Sequence, residues 1–211
     1  MNVSPSKENI LKKIREALSN STPLPFPQSE GTQAVVPAAS QELEVEFAEQ
    51  FTKLLGKFIY CINRQELAFQ LNSLIRKSDW QKVYCVETEM TTLIGSQLGD
   101  RLQTTDLGGC DVSITGCECL VARTGSIVMS SAQASGRTTS VYAPIHICIA
   151  FMNQLVYDVK DGLQLVKDKY GDKVPSLITF ATGPSRTADI EKTLVVGVHG
   201  PKEVYLFLVE S

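Results

Sequence analysis

The sequence predicts an α/β protein: a three-layer α/β/α sandwich around a mostly parallel sheet, preceded by an N-terminal helical arm. Three observations predict it. Helical periodicity alternates with short apolar runs at both ends of the chain, and a β-rich middle with glycine-containing turns begins at Val112. A proline-rich stretch also sets the first helix apart from everything that follows. The 211 residues suit one domain with an appendage.

From Ser6 to Leu18, Ile10, Leu11, Ile14, Ala17 and Leu18 share one helical face opposite Lys and Arg. Ser19 to Ser40 then carries prolines at 23, 25, 27 and 37, a composition that suits an extended linker. Residues 1–40 are therefore expected to form an arm, and residues 41–211 the main domain. Leu43, Phe47, Phe51, Leu54 and Leu55 mark an amphipathic helix, followed by an apolar run at Phe58–Ile62. Asn63 to Glu66 has capping-box form and opens a helix bearing Leu67, Leu71, Leu74 and Ile75. Val83–Val86 reads as a strand and Leu93–Leu98 as a short helix. After Val112, β segments are expected at Ser126–Ser131, Ser140–Tyr142, Ile145–Phe151 and Leu155–Val156. A helix carrying Val159, Leu163, Val166 and Tyr170 follows, then apolar runs at Leu177–Phe180 and Val204–Val209.

Composition excludes several classes. No apolar stretch approaches the ~18 residues of a membrane span, and the N-terminus has no secretory h-region. A net charge of −3 without a basic stripe argues against nucleic acid. A cytoplasmic location is expected. The six cysteines match no cluster-binding run, and Cys117-x-Cys119 has neither a second pair nor a nearby histidine. No metal or other cofactor is expected on this chain.

The segment from Ala181 to Pro201 concentrates turn-forming and polar chemistry between two apolar runs. It holds two Gly-Pro pairs, His199, and Arg186 among Ser185, Thr187 and Thr182. One reading is strand, glycine turn, short helix, strand, with a helix N-terminus at the carboxyl edge of the sheet, where N–H groups and Arg186 would bind an anion. The other is structural: Ser185 or Thr187 caps the helix and Arg186 pairs with Asp189 or Glu191. His146 reads either as a half-buried hydrogen-bonded residue or as an acid–base group.

Gly183-Pro184-Ser185-Arg186-Thr187-Ala188-Asp189-Ile190-Glu191, followed by Gly197-Val198-His199-Gly200-Pro201, resembles the signature of the lactate utilization protein C family, whose shared unit is the LUD domain. Thr124-Gly125-Ser126, Gly136-Arg137 and Pro144-Ile145-His146 match further family motifs, so the resemblance covers about Gln41 to Glu210. It implies a fold like that of the sugar-phosphate isomerase and CoA-transferase superfamily. It also implies a role in oxidising L-lactate to pyruvate, with iron–sulfur clusters on partner proteins. Arg123 stands where the family usually has an acidic residue, and Glu118 lies near a position where the family commonly has Asp. The expected site therefore comprises catalytic candidates Glu118, His146, His199 and Asp189, with ligand-binding candidates Thr124, Gly125, Arg137, Gly183, Ser185, Arg186 and Thr187. The expected ligand is a small carboxylate or phosphate. The competing reading is a standalone enzyme or sensor for a CoA ester or sugar-phosphate-like anion.

Overall fold

The computed structural model describes residues 5–19, 38–190 and 193–210. The chain divides into two compact units, Met1–Ala38 and Ala39–Ser211. In the first, helix α1 (Pro5–Ser19) exposes Ile10, Leu11, Ile14 and Leu18; most of the expected linker lies outside the described residues.

The second unit runs α2 (Leu43–Lys53), β1 (Lys57–Cys61), α3 (Arg64–Lys77), β2 (Val83–Tyr84), α4 (Thr88–Leu98), β3 (Leu102–Gln103), β4 (Val112–Thr115), β5 (Cys119–Val121) and β6 (Ser126–Ser130). It continues with α5 (Thr139–Tyr142), β7 (Ile145–Phe151), β8 (Leu155–Val156), α6 (Val159–Tyr170), β9 (Ile178–Ala181), β10 (Arg186–Ile190), β11 (Thr193–Val196) and β12 (Glu203–Val209). The central sheet has six parallel strands in the order β1-β12-β7-β4-β2-β3. A second sheet, β8-β5-β6-β9, lies over one of its faces, and β10 pairs with β11 as a separate antiparallel hairpin.

Alternation along the strands builds two cores. On β12, Tyr205, Phe207 and Val209 pack with Leu67, Leu71 and Ile75 of α3 and Ile94 of α4. Val204, Leu206 and Leu208 face the other way, onto Phe47 and Phe51 of α2 and Leu120 and Ile127 of the second sheet. A strand apolar on both faces is what a buried parallel sheet requires. Each fully buried large apolar side chain contributes about 1.5–3 kcal/mol relative to exposure, so β12 is fixed from both sides. On the second sheet's outer face, Cys119, Val121 and Val128 meet Val166 of α6.

The Asn63 carboxamide accepts from Glu66 N–H at 2.9 Å, as the capping pattern predicts, while Glu66 reaches back to Ile62 N–H instead of to Asn63. Two expectations fail. Ser140–Tyr142 belongs to the short helix α5. The predicted helix after Pro184 is instead the β10–β11 hairpin, in register Arg186↔Val196 and Thr187↔Val195. Thr187, Ile190, Thr193, Val195 and Val196 are β-branched and lose side-chain freedom in a helix, so they favour the pleated alternative. The Ser and Thr hydroxyls that looked like helix caps lie beside a hairpin.

Candidate functional site

The central sheet carries one topological switch point. From β2 the chain moves outward to the edge strand β3; from β4 it turns the opposite way, through β7 to β12. The carboxyl ends of β2 and β4 therefore diverge, which in open α/β sheets is where ligands bind. A cleft of about 530 Å³ opens there. Glu87 follows β2, Gly116 and Cys117 follow β4, and Gln154 follows β7, while Lys169 and Tyr170 at the end of α6 close the far wall.

Glu87 reaches across the switch point. Gly116 N–H donates to its Oε2 at 2.9 Å. Its Oε1 is buried and has no hydrogen-bond partner among the described residues. Such an oxygen forfeits solvation without compensation unless something donates to it.

Behind the Lys169–Tyr170 wall sits Glu118, whose residue is 4% exposed. It accepts from Lys169 Nζ at 2.7 Å, Tyr170 Oη at 2.8 Å and Ser130 Oγ at 2.5 Å. Burial alone would raise its carboxyl pKa. The bonds from Lys169, Ser130 and Tyr170 outweigh burial and hold it below its ordinary value. Glu118 is thus an ionised residue that positions the cleft wall. The Cys117 thiol is pushed well up by its contact with Cys148 and by burial, so it is no thiolate nucleophile near neutrality.

The opposite end of the sheet carries a second cavity, of about 320 Å³. His146 enters it from the start of β7, and Gly183, Ser185 and His199 from the segment before β12. Ser185 N–H donates to Pro201 O at 2.9 Å, and Gly197 N–H to Ser185 O at 2.9 Å, which pins this segment at the amino edge. The sequence reading put the segment at the carboxyl edge. It lies at the other end because β9, which leads into it, belongs to the second sheet and runs antiparallel to β6. His146 is fully buried, and desolvation pushes its imidazole pKa down to about 4. Its Nε2 lies 2.8 Å from Thr115 Oγ1, while Nδ1 has no partner among the described residues.

Apart from Asp189, the remaining candidates line neither cavity. Arg137 is exposed and donates to Ser176 Oγ. Arg186 is exposed on β10, beside Thr187. Asp189 falls on the same strand, but its side chain lies outside the described residues, as does Glu191. Thr124, Ser126 and Thr182 form a chain of hydroxyls with links of 2.8 Å each. Gly125, at φ +59°, lets α2 approach so closely that a Cβ would sit 2.5 Å from Phe51 N. Gly183, at φ +88°, similarly allows the Leu54 carbonyl to pack against it. Both glycines answer to packing. Arg123 donates to Asp158 Oδ1, at 2.9 Å from Nε and 2.5 Å from Nη2, and Asp158 caps α6. No group of three or more His, Cys, Asp or Glu among the described residues is arranged to hold a metal.

Sequence reasoning missed Glu87, Lys169 and Tyr170. Glu87 had one available signal, since it follows the apolar run Val83–Val86 directly and so stands at the carboxyl end of a predicted strand.

Fold and cleft together define an α/β domain with a crevice at the carboxyl edge of its parallel sheet. A family model for the LUD domain matches residues 100–209, and the chain belongs to the LUD domain family. It is 36% identical over 103 residues to lactate utilization protein C of Bacillus licheniformis, and 37% identical over 103 residues to that of Bacillus subtilis. Each match covers 48% of this chain and 43% of the relative, so it spans less than half the relatives' length. The solved structure of a DUF162 family protein from Deinococcus radiodurans superposes with a TM-score of 0.58, covering 82% of this chain and 99% of that one at 19% identity. That likeness concerns the fold alone. Among the described residues, no helix is long and apolar enough to cross a membrane.

Proposed function

We propose that this LUD-domain chain serves in L-lactate utilisation as a ligand-binding or accessory subunit, beside iron–sulfur partner proteins that oxidise L-lactate to pyruvate. Kinship with proteins named for lactate utilisation supports the setting. The observation that carries the binding role is the switch-point cleft, where Glu87 Oε1 waits for a donor on a wall shared with the Lys169 ammonium. A small 2-hydroxy acid matches both groups. Its hydroxyl donates to Glu87 Oε1, and its carboxylate accepts from Lys169, whose side chain is half-exposed beyond Glu118. Glu89 on the same wall keeps affinity for an anion modest. Covalent chemistry of the CoA-transferase kind finds no support at Arg123, which is tied to Asp158.

The test is calorimetric titration of L-lactate, phosphate and CoA into the wild type and Glu87→Gln, together with affinity purification from lactate-grown cells. L-Lactate binding that Glu87→Gln abolishes, plus an iron–sulfur protein in the eluate, is expected. Failure of every ligand to bind overturns the ligand role. An eluate without such a partner overturns the subunit role.

A further inference from the structure

The amino-edge cavity has no place in that reading. Of the sequence-predicted anion site, it gathers His146, Ser185 and His199 but neither arginine. Among the described residues no Lys, Arg, Asp or Glu lines it, and its one fully buried titratable group, His146, is neutral near pH 7 because burial disfavours the imidazolium. A carboxylate or phosphate would exchange water for a site whose described lining offers no balancing charge, which is costly.

The hydrogen bonds around His146 fix what the site asks for. Thr115 Oγ1 lies 2.8 Å from Nε2 of His146 and 3.9 Å from Met129 Sδ, and Nδ1 has no partner among the described residues. Whichever ring nitrogen of the neutral imidazole carries the proton, Nδ1 is an unmet donor or acceptor, and a hydroxyl, which can be either, satisfies it without charge. About 320 Å³ holds roughly ten molecules of water at ~30 Å³ each, far more than one bridging solvent molecule needs. Ser140, Thr182 and Ser185 add hydroxyls to the wall, while Met129, Phe180 and Val204 give it an apolar side. Hydroxyls opposite an apolar face are the pattern of a site for a compact polyol or sugar.

We propose that this cavity is a second binding site, independent of the switch-point cleft, that takes an uncharged polyhydroxylated small molecule with one of its hydroxyls hydrogen-bonded to Nδ1 of His146.

The chain has only two histidines, so their ring nitrogens can be followed individually. The experiment is ¹⁵N NMR of histidine-labelled full-length protein at pH 7, titrated with glycerol, D-ribose and myo-inositol, and separately with L-lactate and phosphate. Expected is a saturable shift of the His146 Nδ1 resonance with at least one polyol and none with either anion. Val141 is exposed and lines the cavity, so Val141→Trp should block the shift. A His146 signal indifferent to all three polyols in the wild type overturns the proposal, whatever the variant does. So does a shift produced by the anions alone, or one that survives in a folded Val141→Trp protein.

Discussion

The two ends of the central sheet solve the problem of a buried titratable group in opposite ways. At the carboxyl end, Glu118 is kept ionised by three donors, one of them a cation. At the amino end, His146 is kept neutral by burial, with one hydroxyl neighbour and no charged side chain among the described residues that line its cavity. The lesson is that burial favours the neutral form in both cases, and donors reverse it at Glu118 because there are three and one is charged. One end is therefore suited to ligands that carry charge, the other to ligands that do not.

Acid unfolding should separate the two ends by pH window. His146 has a folded pKa of about 4 against an ordinary 6.5. Its contribution is complete above about pH 6.5 and is lost as pH falls toward 4, because the unfolded chain takes up the proton first. At about 1.4 kcal/mol per pH unit, the loss is roughly 3 kcal/mol. Urea titrations at pH 7 and pH 4.5 should show a smaller loss in His146→Gln than in the wild type. Equal losses would contradict a neutral buried imidazole.

Glu118 has a lowered pKa, so its contribution is present above the ordinary glutamate range and disappears as pH falls through the folded value. Glu118→Gln should cost about 1–3 kcal/mol at pH 7, since it weakens three bonds to a buried group. The gap between variant and wild type should close as pH falls below the ordinary glutamate range, in a lower window than that of His146. A gap that persists at low pH would mean that packing, and not charge, holds the cleft wall.

Two smaller effects sharpen the contrast. Glu87→Gln should change stability little yet remove ligand binding at the cleft, a dissociation that thermal shift with and without L-lactate can read. Arg186→Ala should stay within about ±0.5 kcal/mol, as surface changes usually do, and leave binding at both ends intact. An early-melting Arg186→Ala protein would point to a structural clamp on the β10–β11 hairpin.

Much of the fold was legible in the residues. Continuous apolar runs such as Val204–Val209 mark strands buried on both faces, and helical spacing at Leu67, Leu71 and Ile75 marks the face of α3. The β10–β11 hairpin was not, because hydroxyl and glycine signals for a capped helix competed with β-branched residues, and the latter won. The site was legible only in part. His146, Ser185 and His199 do converge, but motif proximity could not say at which end of the sheet. Arg137 and Arg186 stand apart from them because sequence spacing carries no information about which sheet a connecting strand joins. Glu87 and Lys169 are distant in sequence and meet only through the crossing order of β2, β4 and β7.

That crossing order also governs when the domain can assemble. β12 enters the sheet between β1 and β7, so Lys57 meets its partner Tyr205 across 148 residues. As the chain leaves the ribosome, β1 has no neighbour and β7 lacks one flank until Glu203–Val209 has been made. Non-local parallel pairing of this kind is slow to form. Both cores stay open during that wait, so the seven-residue strand β12 acts as a keystone: losing it strands β1 and bares apolar surface on both faces of the sheet.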